Sequence, residues 1–236
     1  MHQLTAGNEA GMNRREWIAI LGGVGCSLLL LFISLVGRTW EVKETMAFGE
    51  TSPKKVALTF DDGPHPFYTE QLLDGLAERG VQVTFFVTGQ NAKDYPELIQ
   101  RMQEEGHLIG NHTYHHVQLT ATNGSEFAEE IVLTNEVIEE ITGQEICYIR
   151  PPYGSWDKKY EEELNMFPVL WTVDPLDWCR TDVSGIVKNV ICGIEENDII
   201  LMHDQYKSSV TAALKIVDEL LGEGYTFVTV EEILFD

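Results

Sequence analysis

From Lys54 to the end of the chain, segments with the pattern of buried strands alternate with segments of helical spacing. Such alternation is typical of parallel strands joined by helical crossovers. The predicted strands are residues 56–60, 81–87, 107–110, 146–149, 169–173, 198–202 and 225–230, and the predicted helices are residues 68–79, 92–105, 125–141, 158–164, 183–194 and 210–221. Residues 54–236 are fewer than the roughly 250 residues of a regular eight-stranded barrel. We therefore predict an α/β fold, a distorted (β/α) barrel with about seven parallel strands, and the alternative is a doubly wound open sheet.

The N-terminal part of the chain carries a long apolar segment. Residues 17–37 contain no charged side chain, and as a helix they would extend about 30 Å, the thickness of a bilayer core. They predict one transmembrane helix, with residues 1–16 as a cytoplasmic tail, 38–53 as a linker and 54–236 as the folded domain. Arg14 and Arg15 precede the segment, which favours a cytoplasmic N-terminus and an extracytoplasmic domain at the cell membrane. A cleaved signal peptide is the alternative, although no clear small-residue cleavage pattern follows the segment.

The charge of the chain excludes one class of partner. The chain has 38 acidic and 16 basic residues, and its formal net charge is −22 at pH 7. A protein that binds nucleic acid needs local positive charge against the phosphates, so we expect no nucleic-acid partner.

The three cysteines after the apolar segment form no C-x-x-C pair. We interpret them as small hydrophobic residues, although a disulfide between the last two is conceivable; they are Cys147, Cys179 and Cys192.

Chemically capable side chains follow five of the predicted strands. In parallel α/β folds the carboxyl ends of the strands share one face, and active sites lie there. We therefore expect these side chains to converge on one site. They are Asp61 and Asp62 after the first strand, His112 and His116 after the third, Arg150 and Tyr153 after the fourth, Asp174, Asp177 and Trp178 after the fifth, and His203 and Asp204 after the sixth.

Two of these groups predict a metal site. The adjacent carboxylates of Asp61 and Asp62 would repel each other when ionised, so a cation or a proton is expected between them. His112 and His116 are four residues apart, so both imidazoles can reach one ion on a tight turn. With Asp62 as the third ligand, such a site keeps positions open for water and substrate. His115 could replace one ligand, and the remaining histidines are interpreted as non-ligands; they are His2, His65 and His107.

Five ordered motifs resemble those of the polysaccharide deacetylase family, the NodB homology domains of carbohydrate esterase family 4. The motifs are residues 59–64 (TFDDGP), 112–116 (HTYHH), 150–153 (RPPY), 174–178 (DPLDW) and 201–203 (LMH). Each motif alone has modest specificity, but five in the right order at regular strand spacings are highly specific. The resemblance covers the chain from about Lys54 to its end.

The resemblance implies a hydrolytic site with a divalent metal ion. Asp61 would be the general base, and Asp62, His112 and His116 would be the metal ligands. Zinc suits two imidazoles and one carboxylate, and cobalt, nickel, manganese and iron accept the same ligands. The ion would polarise the acetamide carbonyl and activate a water molecule. In the family, the backbone N–H at the Tyr153 position helps to stabilise the oxyanion.

The resemblance also implies supporting roles. His203 would be the general acid that protonates the leaving amine. Arg150 would orient the base, and Asp177 would pair with the acid histidine, with Asp174 as a second candidate for a supporting role. The apolar walls that receive the acetyl methyl group would be Trp178 and Leu201.

These features together predict a metal-dependent hydrolase that removes N-acetyl groups from the amino sugars of an extracytoplasmic polysaccharide, with peptidoglycan favoured by the predicted anchor. The alternatives within hydrolases are a chitooligosaccharide deacetylase and an O-acetyl esterase on a polysaccharide such as xylan. A cell-wall-binding protein without turnover is the alternative from another class. The intact set of predicted catalytic residues argues against it.

Overall fold

Seven strands and eight α-helices occur in residues 54–235, which are the residues that the computed structural model describes. The strands are β1 (Lys54–Asp61), β2 (Thr84–Val87), β3 (Leu108–Asn111), β4 (Tyr148–Ile149), β5 (Phe167–Pro168), β6 (Ile199–His203) and β7 (Tyr225–Phe227). The helices are α1 (Tyr68–Arg79), α2 (Gly89–Asp94), α3 (Pro96–Glu104), α4 (Gly124–Thr142), α5 (Lys159–Glu163), α6 (Val183–Ile191), α7 (Lys207–Gly222) and α8 (Val230–Phe235). Two 3₁₀ turns, Pro152–Gly154 and Asp177–Cys179, follow β4 and β5.

The predicted tail, transmembrane helix and linker, residues 1–53, lie outside the described residues. Within residues 54–235, no helix combines the length and the apolar character that a membrane crossing requires.

The strands form one parallel sheet that curls. Their order is β5-β4-β3-β2-β1-β6, and β7 pairs with the first residues of β1. The chain after edge strand β5 reaches the other edge, since Val173 bridges to Ile200 of β6 and accepts a hydrogen bond from the Leu201 N–H at 2.9 Å. The seven predicted parallel strands are confirmed. The sheet is an incomplete, curled barrel and not the doubly wound open sheet that was the alternative.

The fifth predicted strand, residues 169–173, is wrong in its bounds. The ladder there consists only of β5, which ends at Pro168, followed by the single bridge at Val173. The physical reason lies in the Arg150 side chain, whose Nε donates to the carbonyl of Val169 at 3.1 Å and whose Nη2 donates to that of Leu170 at 3.4 Å. The Arg150 side chain therefore occupies backbone carbonyls that would accept hydrogen bonds from a neighbouring strand if β5 were longer.

A proline explains a second difference between the predicted and the observed elements. Residues 92–105 were predicted as one helix, but α2 ends at Asp94 and α3 begins at Pro96. Tyr95 between them has a non-helical backbone (φ −134°, ψ 59°), because the ring of a following proline disfavours the α region for the residue before it. The last predicted strand, residues 225–230, is also shorter, since α8 begins at Val230.

Apolar stripes on the helices cover the sheet. In α1 the buried residues include Leu72, Leu73 and Leu76, at the spacing of one helical face. The helix ends at Gly80, which has a left-handed backbone (φ 62°), a conformation that glycine adopts without steric cost. Other helices also bury an apolar face against the strands, as α3, α4 and α7 do.

The environments of the cysteines differ from those that the sequence led us to expect. No disulfide links Cys147, Cys179 and Cys192, so the conceivable Cys179–Cys192 bridge is not formed. Cys179 and Cys192 are exposed. The interpretation as small hydrophobic residues is therefore wrong for these two, and only Cys147 is partly buried.

Candidate active site

One cleft of about 390 Å³ opens at the carboxyl edge of the sheet. Asp61 is the last residue of β1 and His203 the last of β6, and the two are register partners in adjacent strands. The loops after β1, β3, β4 and β5 bring most of the other predicted side chains to the same place. The cleft is lined by Asp61, Asp62, His112, His116, Pro151, Tyr153, Trp171, Asp174, Trp178, Leu201 and His203.

The predicted ligands converge on one point. The ligand atoms of Asp62, His112 and His116 lie within 4.8 Å of one another. The Nε2 atoms of the two histidines lie 3.3 and 3.4 Å from the same carboxylate oxygen, Oδ1 of Asp62. That oxygen is buried and accepts no hydrogen bond from the described residues. A buried oxygen without a donor between two imidazole nitrogens is the environment in which a cation compensates the charge.

The tautomer of His112 leaves one nitrogen for an ion. Its Nδ1 lies 2.6 Å from the backbone carbonyl of Arg150, and a carbonyl can only accept, so Nδ1 carries the proton. Nε2 therefore presents its lone pair to the site. A second hydrogen bond of this kind typically orients metal-binding histidines.

The ionisation of the triad also suits a metal ion. Burial acts to raise the pKa of Asp62, but the close approach of His112 and the charges of the histidines bring that pKa below its usual value. Burial and the charge of His112 lower the pKa of His116. An ionised carboxylate and a neutral imidazole are the forms that bind metals, so the residues fit a divalent ion.

Left-handed backbone conformations concentrate in the loops around this cleft. Seven described residues other than glycine have positive φ, and two of them are asparagines in surface turns, Asn165 and Asn197. The other five lie in the site loops, where such strain is retained when the surrounding structure fixes it. They are Asp62 (φ 72°), Thr113 (φ 61°), His116 (φ 57°), Tyr153 (φ 57°) and Leu176 (φ 61°).

A buried guanidinium holds Asp61. Arg150 is fully buried, and its Nη1 donates to Oδ1 of Asp61 at 2.9 Å and to the Thr59 hydroxyl. The guanidinium also lies over the ring of Phe86, 4.3 Å from its centroid. Oδ2 of Asp61 stays on the side of the ligands, 3.9 Å from Nε2 of His112. Arg150 thus fixes one oxygen of the carboxylate and leaves the other facing the triad.

A buried carboxylate holds His203. Oδ1 of Asp177 lies 2.9 Å from Nδ1 of His203, and Oδ2 accepts the backbone N–H of the same residue at 2.9 Å. Burial acts to lower the pKa of His203, but the hydrogen bond to Asp177 and the charges of the neighbouring aspartates raise it to about 9. The imidazole is therefore protonated at neutral pH, and Nε2 is the proton donor that remains for the cleft.

Comparisons with known proteins agree with this geometry. The sequence profile of the polysaccharide deacetylase family matches residues 48–169. Over 199 residues the chain is 38% identical to the peptidoglycan-N-acetylglucosamine deacetylase of Bacillus cereus, which covers 81% of this chain and 72% of that protein. The chain belongs to the polysaccharide deacetylase family. The resemblance drawn from the five motifs is thereby confirmed, and the chain is an enzyme of this family.

Relatives within the polysaccharide deacetylase family are named for different sugars. The solved structure of the peptidoglycan deacetylase PdaC from Bacillus subtilis has a TM-score of 0.75 and 39% identity, covering 78% of this chain and 91% of that one. Full-length PdaC is a peptidoglycan-N-acetylmuramic acid deacetylase, and the match spans only 39% of it. A chitooligosaccharide deacetylase from Rhizobium leguminosarum bv. trifolii is 42% identical over 154 residues, 64% of this chain and 72% of that protein.

The remaining predicted residues of this polysaccharide deacetylase have distinct environments. Leu201 is buried and Trp178 is about half exposed, and both line the cleft. The Tyr153 ring is exposed and meets His116 edge-on, with 5.0 Å between the ring centroids. Asp174 lines the cleft, but its Oδ1 accepts the Leu176 N–H at 2.8 Å, so it shapes the turn, and the described hydrogen bond to the His203 ring comes from Asp177.

Asp204, which also follows β6, is not part of the cleft. It is fully buried, it accepts a hydrogen bond from the Thr69 hydroxyl, and burial raises its pKa to about 7. Its carboxyl group packs against Gly63, where an added Cβ would overlap it. Only glycine fits this close approach, so Asp204 helps to explain the glycine that follows the two aspartates.

The other described histidines are not in the triad, and His2 lies outside the described residues. Nδ1 of His115 lies 2.8 Å from Oε1 of Glu130, whose other oxygen accepts the His115 backbone N–H at 2.6 Å. His107 is buried, its Nδ1 accepts the Val83 N–H, and burial lowers its pKa to about 4. His65 accepts two backbone N–H groups at the start of α1. His115 is thus turned towards α4 and is not a replacement ligand.

Several residues of the site were missed in the sequence. Trp171 and Pro151 line the cleft, and Glu130 holds the loop between the two ligand histidines. An aromatic residue shortly before the motif at 174–178 was a weak signal for Trp171. Glu130 had no signal, because one acidic residue on an acidic helix is not distinguishable from its solvated neighbours.

Proposed function

We propose that this polysaccharide deacetylase removes N-acetyl groups from the sugars of peptidoglycan in a metal-dependent reaction. The observation that carries the proposal is that Asp61, held by Arg150, and His203, held by Asp177, reach the same cleft as the triad. Amide hydrolysis needs a base for the attacking water and an acid for the leaving amine. The names of the relatives from Bacillus support peptidoglycan as the substrate.

Asp62, His112 and His116 would hold the metal ion. When bound, the ion would supply Lewis-acid polarisation of the acetamide carbonyl and would make the attacking water more acidic. The buried and unpaired Oδ1 of Asp62 supports this assignment. Zinc is the proposed ion, since two imidazoles and one carboxylate are ligands of catalytic zinc sites.

We assign the two proton transfers to Asp61 and His203. Asp61 accepts the proton of the attacking water through Oδ2, because Oδ1 is engaged by Arg150. His203, protonated at neutral pH through its partner Asp177, donates to the amide nitrogen as the C–N bond breaks. An amine without that proton is a poor leaving group.

Apolar walls give the site its preference for an acetyl group. Trp178 and Leu201 line the cleft together with Trp171, and a methyl group is small enough to be desolvated between such side chains. We propose that the backbone N–H of Tyr153 contributes to oxyanion stabilisation, and the position of this residue in the lining of the cleft supports the proposal.

We propose in addition that residues 17–37 anchor the chain in the cell membrane and that the catalytic domain lies on the extracytoplasmic side. The uncharged length of this segment and the arginines before it support this location. The test is protease treatment of intact cells that express the chain with a C-terminal tag. Loss of the tag supports an outward-facing domain, and protection of the tag contradicts it.

The function is tested by acetate release. The protein is stripped with a chelator, zinc or cobalt is added back, and acetate is measured with peptidoglycan, chitooligosaccharide and acetylated xylan. Metal-dependent release that is fastest with peptidoglycan is expected. Release mainly from chitooligosaccharide would support the activity for which the Rhizobium relative is named, release mainly from xylan would support an esterase, and no release with bound metal would support a binding protein.

A further inference from the structure

We propose that Asn91 and Gln205 are positioning residues that hold the metal ligand Asp62 by its own backbone carbonyl. Nδ2 of Asn91 donates to the Asp62 carbonyl oxygen at 2.8 Å, and Nε2 of Gln205 donates to the same oxygen at 3.0 Å. A carbonyl oxygen has two lone pairs, and here both are taken by side-chain amides. The inference rests on the metal site of the proposed function.

The two donors come from separate parts of the fold. Asn91 is the third residue of α2, which follows β2, and Gln205 lies between the end of β6 and the start of α7. Both are half-buried. Strands β2 and β6 flank β1 on opposite sides, so the two amides approach the turn after β1 from its two neighbours.

Asp62 needs such support because it has left the strand. Its φ of 72° places it in the left-handed region, where a non-glycine residue is strained and persists only when its surroundings fix it. The next carbonyl, that of Gly63, accepts the Thr88 N–H at 3.1 Å. The turn is therefore fixed at two successive carbonyls.

The direction of the carboxylate depends on this turn. Oδ1 of Asp62 must lie between Nε2 of His112 and Nε2 of His116, at 3.3 and 3.4 Å. The two amides fix the carbonyl group of Asp62, which is bonded to the Cα that carries the side chain, so without them the turn and the carboxylate could shift together. Groups that orient a metal ligand typically change metal affinity about 10-fold to 100-fold when they are removed.

A different role is conceivable for the same side chains. Asn91 and Gln205 also line a polar groove of about 270 Å³ beside the triad, together with Thr88, Gln90 and Tyr114. A sugar in this groove could bind the amides directly. In that case their removal would weaken substrate binding and leave the metal unchanged, so the two roles have different experimental signatures.

The experiment measures zinc affinity without any substrate. The variants are Asn91→Leu and Gln205→Met, which keep the charge and approximate volume and remove the amide donor. The dissociation constant of zinc is determined for each full-length variant by competition with a chromophoric chelator. We expect each variant to bind zinc about 10-fold more weakly than the wild type and the double variant to bind it more weakly still. The control is Gln90→Ala, an exposed residue of the same groove, and its zinc affinity is expected to equal that of the wild type.

The outcomes separate the hypotheses. Unchanged zinc affinity in both variants, with only a raised KM for chitooligosaccharide, would overturn the positioning role. Equal weakening in Gln90→Ala would overturn it as well, because the effect would then belong to the groove in general. Circular dichroism of the metal-free proteins verifies the fold, and if one variant does not fold, the other decides. A wild type that binds no zinc would instead refute the metal site of the proposed function.

Discussion

At the scale of single residues, each proposed proton-transfer group is paired with one buried partner of opposite charge. Arg150 is fully buried beside Asp61, and Asp177 is buried beside His203. Removing one partner of a buried pair leaves an unpaired charge in a region of low dielectric constant, and this lowers the stability of the folded state. The partners therefore decide both the position and the charge of the groups that face the substrate.

Substitutions of the two adjacent aspartates are expected to affect activity and metal binding differently. Asp61→Asn removes the base but retains the side-chain volume, so acetate release should fall about 10²-fold to 10⁴-fold, while bound zinc remains near the wild-type amount. Activity and metal content are measured on the same preparation. Loss of zinc in Asp61→Asn would mean that the roles of Asp61 and Asp62 are exchanged.

The pH dependence of activity should report His203. Its pKa of about 9 lies above the ordinary value of 6.5, so the acid form is present at neutral pH and is lost as the pH rises through about 9. We expect kcat to decline on that alkaline side. Asp177→Asn removes the charge that raises the pKa and leaves the burial that lowers it, so the decline should move to lower pH. Asp174→Asn is the matched control, because Asp174 bonds to Leu176 and not to the histidine. An alkaline decline at the same pH in Asp177→Asn and in the wild type would contradict the pairing.

At the scale of elements, β1 is the strand on which the site depends. It pairs with β2, β6 and β7, and its last residue and the next one are the two aspartates. The two histidines proposed as ligands follow β3, two strands away from β1 in the sheet. Their loop is fixed to α4, since Glu130 accepts the His115 N–H and contacts its ring. Packing of strands and helices therefore sets the distance between the carboxylate ligand and the histidines.

Close packing around Gly110 in β3 leaves no space for a larger residue. A Cβ at Gly110 would lie 2.6 Å from the Phe86 ring and 3.1 Å from the Tyr148 carbonyl. Gly110→Ala should lower the free energy of unfolding by about 1–3 kcal/mol, as overpacked cores do, and urea denaturation measures it. Gly193→Ala is the control, since nothing lies within 4 Å of its Cβ position. Equal unfolding free energies for the two variants would show that β3 can shift without cost.

At the scale of the whole described domain, the proposed metal ligands lie on loops at one edge of the sheet, away from the apolar core. The buried apolar core extends over the strands and the inner faces of the helices. A metal ion bound at the edge should stabilise this fold without being required for it, because binding to the native state alone adds to its stability.

Zinc should therefore raise the melting temperature of the metal-free protein. At a free concentration 100 times the dissociation constant, the added stability is about 2.7 kcal/mol, which corresponds to a rise of about 5–10 °C for a domain of this size. Thermal unfolding followed by circular dichroism with and without zinc measures it. His112→Ala should show no rise, and a rise of the same size in that variant would mean that zinc binds elsewhere.

Local chemistry alone determined a large part of this protein. The alternation of strands and helices, the seven parallel strands and the ordered motifs were predictable, because hydrophobic periodicity and turn residues act within a few positions of the chain. For the same reason α1 was predicted with its exact observed bounds, Tyr68–Arg79. Strand 169–173 was not, since the side chain of Arg150, which follows β4, takes the carbonyls of Val169 and Leu170.

Tertiary structure decided the contacts that make the site. Arg150 meets Asp61 across 89 positions of the chain, and Gln205 meets the Asp62 carbonyl across 143. The motif at residues 150–153 singled out Arg150 only through its family resemblance, and nothing in the sequence distinguished Gln205 from other glutamines, because no local period connects either residue to its partner. Their roles arise when the curled sheet brings the ends of separate strands to one edge, where distance and burial select which side chains pair.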